Sequence, residues 1–144
     1  MSEAAVLQPK IYNPRASQTG LFSGLMRARS EFGGGTIAVV DGDERKLTYN
    51  EIIRAAFGLG SALKKGTQRE ENVGILLPTG AGAIIAFYAV LATGRVPAML
   101  NFTAGPKNIK SALKAAEIKR IVTAHKFIEL GGLETLIKEL KDEA

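Results

Sequence analysis

The stretch ENVGILLPTGAGAIIAFYAVLATGRVPAMLN, residues 71–101, decides the fold. Val73-Gly-Ile-Leu-Leu77 is apolar on both of the faces a strand would present. A strand with one wet face alternates apolar and polar residues, so an unbroken run belongs to a central parallel strand covered by helices on either side. Pro78-Thr-Gly80 turns the chain. Ala81 to Ala92 is then apolar almost all round, which predicts a helix buried between the sheet and a second layer such as a neighbouring domain. Gly94 ends that helix, and Val96-Pro-Ala-Met-Leu100 resumes as a short strand, with Pro97 near its start where a missing donor is tolerated. The uncharged run from Asn72 to Gly94 approaches the roughly 20 residues that span a bilayer. Pro78, Thr79, Gly80 and Gly82 interrupt it, so a buried strand followed by a buried helix is expected and no transmembrane segment.

Downstream, Pro106 suits a helix start, and Ile109, Ala112, Leu113 and Ala116 share one face opposite Lys107, Lys110 and Lys114. Arg120-Ile-Val-Thr123 is a third parallel-strand candidate, and Leu133 to Lys141 is a closing amphipathic helix. Upstream, Gly20 to Phe32 places Leu21, Leu25 and Phe32 at helical spacing, and Gly33-Gly34-Gly35 stops the helix. Thr36-Ile-Ala-Val-Val40 and Arg45-Lys-Leu-Thr48 flank Asp41-Gly42-Asp43 as a hairpin. Thr48 and Glu51 form a capping box for the next helix, whose stripe is Ile52, Ala56, Leu59 and Leu63, with Asn50 and Arg54 facing away and Gly66 as its stop. The expectation is an α/β layered, mostly parallel sheet with flanking helices and right-handed crossovers, preceded by a short N-terminal hairpin. Residues 1–18, polar and carrying Pro9 and Pro14, read as an irregular arm, and residues 19–144 as the α/β unit.

The 144 residues are 46% hydrophobic and 23% charged, enough for one globular domain. The absence of cysteine excludes disulfides, thiol nucleophiles and cysteine zinc sites, and with His125 as the lone histidine no catalytic triad has a second imidazole to draw on. A metal site and a catalytic nucleophile are therefore not expected. The net charge of +5 comes from 19 basic residues spread among 14 acidic ones, which argues against nucleic acid as partner. The first residues lack a basic leader and an apolar core, so no export signal is read and a cytoplasmic location is expected.

Ligands of open parallel sheets gather at the carboxyl ends of the strands, which nominates two loops. Gly80-Ala-Gly82 sits between a strand and a helix, where backbone amides can hold phosphate. A dinucleotide fingerprint would place its third glycine at Ile85, and no Gly-Lys-Ser/Thr follows, so a tight turn is the plainer reading. Asn101-Phe-Thr-Ala-Gly-Pro106 is the second loop, with turn formation and core cover as the alternative to a binding rim. Lys107, Lys110 and Lys114 either contact an acidic carrier protein or form a solvated face. His125 reads as a surface or capping residue.

The segments Arg45-Lys-Leu-Thr-Tyr-Asn-Glu51, Glu71-Asn-Val-Gly-Ile-Leu-Leu-Pro78, Gly94-Arg-Val-Pro-Ala-Met-Leu-Asn-Phe-Thr-Ala-Gly105 and Ala115-Ala-Glu-Ile-Lys-Arg-Ile-Val-Thr123 together resemble the start of AMP-binding, adenylate-forming acyl-CoA and acyl-carrier-protein synthetases. The third segment is the most specific. It looks like the synthetase half of bacterial acyl-carrier-protein synthetases fused to 2-acylglycerophosphoethanolamine acyltransferases.

The resemblance implies the first subdomain of an enzyme that uses ATP and magnesium to turn a fatty acid into an acyl-adenylate. The acyl group then passes to coenzyme A or acyl carrier protein and, in that subfamily, to a lysophospholipid. It implies association with the inner membrane through further domains. The superfamily's phosphate loop ending in Pro-Lys-Gly, its adenine-binding aromatic motif, its ribose-binding aspartate and its mobile lysine have no counterpart in these residues. The chain is thus expected to bind no cofactor and to be inactive alone, with the remainder of the synthetase as its first partner. Thr79, Gly80, Asn101 and Phe102 are the expected acyl-pocket rim, and Lys107, Lys110 and Lys114 the expected carrier contact. The alternative is a standalone scaffold or carrier-binding module of the same fold.

Overall fold

A computed structural model describes residues 14–142 of the protein. The part of the expected arm before residue 14 lies outside the described residues, and Pro14–Gln18 forms a 3-10 turn. The elements then run α1 (Leu21–Phe32), β1 (Ile37–Val40), β2 (Lys46–Thr48), α2 (Tyr49–Lys64), β3 (Asn72–Ile75), α3 (Ala81–Ala92), β4 (Val96–Met99), α4 (Pro106–Ala115), β5 (Arg120–Val122), α5 (His125–Gly131) and α6 (Glu134–Asp142). The strands make an antiparallel pair, β1-β2, and a three-stranded parallel sheet in the order β4-β3-β5.

β3 is central because both of its faces are apolar. Val73 and Ile75 pack with Ala86 and Val90 of α3 on one face. Leu76 packs on the other with Leu100, Ile109 of α4 and Leu136 of α6. Gly74 lies on that second face, where an added Cβ would come within 3.0–3.2 Å of the Leu100, Ile118 and Ile121 side chains, tighter than ordinary contact, so glycine lets the layers approach closely there. The uncharged run from Asn72 to Gly94 is therefore a strand and a helix. Among the described residues no helix is long and apolar enough to cross a membrane.

The second layer over α3 belongs to this chain rather than to a neighbouring domain. α1 and α2 both pack on α3, and Ala81, Ile85 and Tyr88 join Leu25, Leu47, Ile52 and Ile53 in one apolar cluster. The buried positions of α3 are Ala81, Ala83, Ala86, Ala89 and Val90, small enough for the helix to sit between sheet and helices. The capping box forms as expected: Glu51 N–H donates to Thr48 Oγ1 at 3.2 Å, and Thr48 N–H donates to the Glu51 carboxylate at 2.9 Å. Ile52 and Ala56 are buried, with Leu59 and Leu63 half-buried.

Two local expectations are corrected. Asn50 does not face away: its Oδ1 accepts from Arg29 Nε at 2.6 Å and its N–H donates to Gly34 O at 3.0 Å. A Cβ on Gly34 would fall 2.4 Å from the Asn50 amide, so the glycine stop of α1 doubles as a seat for α2. The segment before α6 is also helical. α5 spans His125–Gly131 and is capped by Gly132, whose left-handed φ of 62° separates it from α6.

Candidate functional site

In a parallel sheet the loops that follow the strands share one edge. The register pairs Ile75 with both Met99 and Val122, so the loops after β3, β4 and β5 emerge side by side. Thr79 is exposed and Gly80 half-buried on the first loop, Asn101 is exposed on the second, and exposed His125 follows the third. Phe102 does not stand with them. Its ring meets Phe127 edge to face at 5.1 Å, inside the cluster formed with α4 and α6. Asn101 accepts from Thr103 N–H at 3.0 Å and from the Thr103 hydroxyl at 2.7 Å, which folds residues 102–104 into a 3-10 turn. Turn formation and core cover are thus what these two side chains do in this structure.

The N-terminus of α3 is already occupied by a group of this chain. Asp41, at the hairpin tip, accepts from Ala81 N–H on Oδ2 at 3.3 Å, and from Asp43 and Arg45 N–H on Oδ1 at 3.0 and 2.9 Å. The amide of Arg45 does most to hold the carboxyl below its ordinary pKa. Burial opposes it, while the amides of Ala81 and Asp43 and the charge of Arg45 add to the lowering. An anion at a helix N-terminus is favoured by the helix dipole. Here that anion is the protein's own carboxylate, which would repel a nucleotide phosphate, so this turn does not fit ATP. Gly80 has extended backbone (φ 163°, ψ −172°), which any residue adopts, and a Cβ on Gly82 would meet nothing. Gly80 is thus the N-cap of α3 and Gly82 lies within its first turn, and neither position demands glycine. Among the described residues no group of three or more His, Asp or Glu side chains is placed to hold a metal ion.

The three lysines of α4 meet different surroundings. Lys110 pairs with Glu139 of α6 at 2.9 Å. α4 runs back from the carboxyl edge of the sheet, so exposed Lys107 lies near the rim. Exposed Lys114 and half-buried Lys110 both line a groove beside the amino ends of β3 and β5, where Lys65, Arg69, Lys119 and Arg120 mix with Glu70, Glu71 and Glu117.

Sequence reasoning missed Asp41, whose role depends on a residue forty positions away, and Arg95. The Arg95 side chain is buried, with Nε donating to Thr67 Oγ1 at 3.0 Å, Nη2 to Thr67 O at 2.6 Å and Nη1 to Thr93 O. A lone charge between apolar α3 and β4 was the available signal. An apolar cleft of about 650 Å³ between α1, β1, α2 and α3 is lined by Leu25, Val39, Tyr49, Ile52, Phe87 and Tyr88, and it includes none of the expected rim residues.

A parallel sheet with helices on both faces, joined through α3 to a hairpin and two further helices, is the architecture of the N-terminal subdomain of adenylate-forming ligases. It superposes on the anthranilate CoA ligase AuaEII in complex with anthranoyl-AMP with a TM-score of 0.72 at 20% identity, covering 88% of this chain and 24% of that one. It superposes likewise on a benzoate CoA ligase from Burkholderia xenovorans, with a TM-score of 0.71 at 22% identity, covering 85% and 24%. The chain belongs to the AMP-binding enzyme family, whose profile matches residues 26–144. Acetyl-coenzyme A synthetase 2 of Candida albicans is 32% identical over 105 residues, which is 71% of this chain and 15% of that protein. The nonribosomal peptide synthetase asaC of Aspergillus flavus is 32% identical over 87 residues, 60% and 8% of the two chains. The chain therefore spans about 15% or less of the length of these relatives.

Proposed function

We propose that this chain is the N-terminal part of an ATP-dependent acyl ligase that adenylates a fatty acid and transfers the acyl group to coenzyme A or acyl carrier protein, in the service of lysophospholipid acylation. The observation that carries the reading is the family match across residues 26–144, in a chain that spans 15% of its synthetase relative. ATP and magnesium supply the adenylyl group and the neutralisation of phosphate charge in the complete enzyme. The residues present here contribute a rigid wall. The N-terminal α/β subdomain of that ligase starts at residue 19, after an arm of residues 1–18. Thr79, Gly80 and Asn101 border the acyl pocket from loops at the carboxyl edge, and Phe102 supports the second loop from below. The enzyme works in the cytoplasm, held at the inner membrane by further domains.

ATP–pyrophosphate exchange over a panel of fatty acids tests this, comparing the 144-residue chain with the chain extended through its downstream coding sequence. Exchange in the extended protein alone is the expected result, and the panel then gives its acyl preference. Exchange in the short chain would overturn the assignment of the chemistry to other segments. Silence in both would favour the second reading, a carrier-binding scaffold, for which exposed Lys107 at the rim is the specific support. Binding of an acidic carrier protein that survives Lys107→Glu removes that support.

A further inference from the structure

We infer that Asp41 is a positioning residue for the acyl substrate: from the tip of the β1-β2 hairpin its carboxylate fixes the Pro78–Gly80 loop that borders the acyl pocket. This rests on the ligase reading above and deepens it.

A helix leaves the amides of its first turn without partners inside the helix. α2 meets that need locally, through Thr48 and Glu51. α3 has no such means, because its N-cap is Gly80, which has no side chain, and its first turn holds no acid. The first bond of the helix, from Ile84 N–H to Gly80 O, is long at 3.3 Å. The acceptor for Ala81 N–H is instead Asp41 Oδ2, forty positions away. A Cβ built on Gly80 would lie 3.7 Å from that same oxygen. The carboxylate thus stands against the last residue of the rim loop and the first residue of the helix.

Its mount is stiff. Asp41 N–H donates to Arg45 O at 3.1 Å and Asp41 O accepts from Glu44 N–H at 3.0 Å, while Oδ1 accepts from the amides of Asp43 and Arg45. Glu44 is held at a φ of 60°, a left-handed conformation that a glutamate rarely adopts. Oδ1 is therefore taken up by the hairpin, and Oδ2 is left aimed at α3. Ala81 is buried among Leu25, Leu47, Ile52 and Ile53, so a lost acceptor leaves an amide that must shift to reach water. Thr79 and Gly80 are the residues that give way, because Leu76 N–H is held to Val122 O at 2.9 Å in the sheet. A negative charge at this place disfavours phosphate, so the change falls on the acyl substrate and not on ATP.

Pyrophosphate exchange by the chain extended through its downstream coding sequence tests this, with KM for fatty acid and for ATP measured separately. Asp41→Asn keeps Oδ1 for the hairpin amides and turns the group facing Ala81 N–H from acceptor to donor. Ala81→Pro removes the N–H itself, at a first helical position where proline is tolerated after an extended residue such as Gly80. Each should raise the fatty-acid KM roughly threefold to tenfold, the net contribution of one hydrogen bond, with kcat and the ATP KM within about twofold of wild type. The double variant should be no worse than the poorer single one, because both cut the same link. A folded variant with wild-type KM, KM values for acid and ATP that rise together, or effects that multiply in the double variant overturn the inference while the ligase reading stands. Circular dichroism checks folding, and where one variant does not fold the other decides. An extended wild-type chain without exchange sinks the ligase reading and the inference together.

Discussion

Asp41 shows how a single side chain joins two layers. Its carboxylate closes the hairpin loop through the amides of Asp43 and Arg45 and reaches Ala81 at the start of α3. Its folded pKa lies below the ordinary value of 3.8. The stabilisation it brings is therefore complete above the unfolded pKa and lost as pH falls through the lower folded one. Asp41→Asn should lower stability at pH 7, and its deficit from the wild type should narrow at an acid pH below the lowered folded pKa, where the wild-type carboxyl is neutral too. Urea unfolding at the two pH values checks this, and an equal deficit at both would show that charge plays no part. Arg95 makes the complementary case. Its buried guanidinium finds a hydroxyl and carbonyls rather than a carboxylate, tying the loop before β3 to the turn between α3 and β4. Three donors in a fixed fork serve this better than a lysine ammonium.

At the scale of elements, the helix starts were the most legible feature, because a cap acts within a few residues. Thr48 and Glu51 satisfy each other's amides at the head of α2. Thr48→Ala should cost about 1 kcal/mol, read as a lower urea midpoint with an unchanged slope. Glu51→Gln should lose much less, since the amide oxygen still accepts from Thr48 N–H. Strand β3 and helix α3 were legible for a different reason: continuous apolar runs admit no wet face. α5 was not read because seven residues give barely two helical turns, too few for a period to declare itself. Its stop, Gly132, carried the only local signal. Asn50 was placed on the wrong face because spacing along α2 says nothing of the α1–β1 turn that docks there.

For the molecule as a whole, α3 belongs at once to the sheet core and to the cluster with α1, the hairpin and α2. Neither layer can lose it and keep its apolar face covered. Urea unfolding followed by far-UV circular dichroism and by tyrosine fluorescence from Tyr49 and Tyr88, both half-buried in the α1–α2 layer, should give coincident transitions. Separate midpoints would show that the hairpin layer unfolds on its own. The amino-acid sequence alone determined the order and kind of most elements, the buried centre at Val73–Leu76, the capping box and the family resemblance. All of these depend on residues near one another in the chain. Only the tertiary structure decided the strand order β4-β3-β5, the Asp41 carboxylate at the head of α3, the burial of Arg95 against Thr67 and the pairing of Lys110 with Glu139. Each joins residues at least twenty-eight positions apart in the chain or strands related by a crossover. Periodicity specifies which face of an element is apolar, but not which distant polar group or strand will meet it.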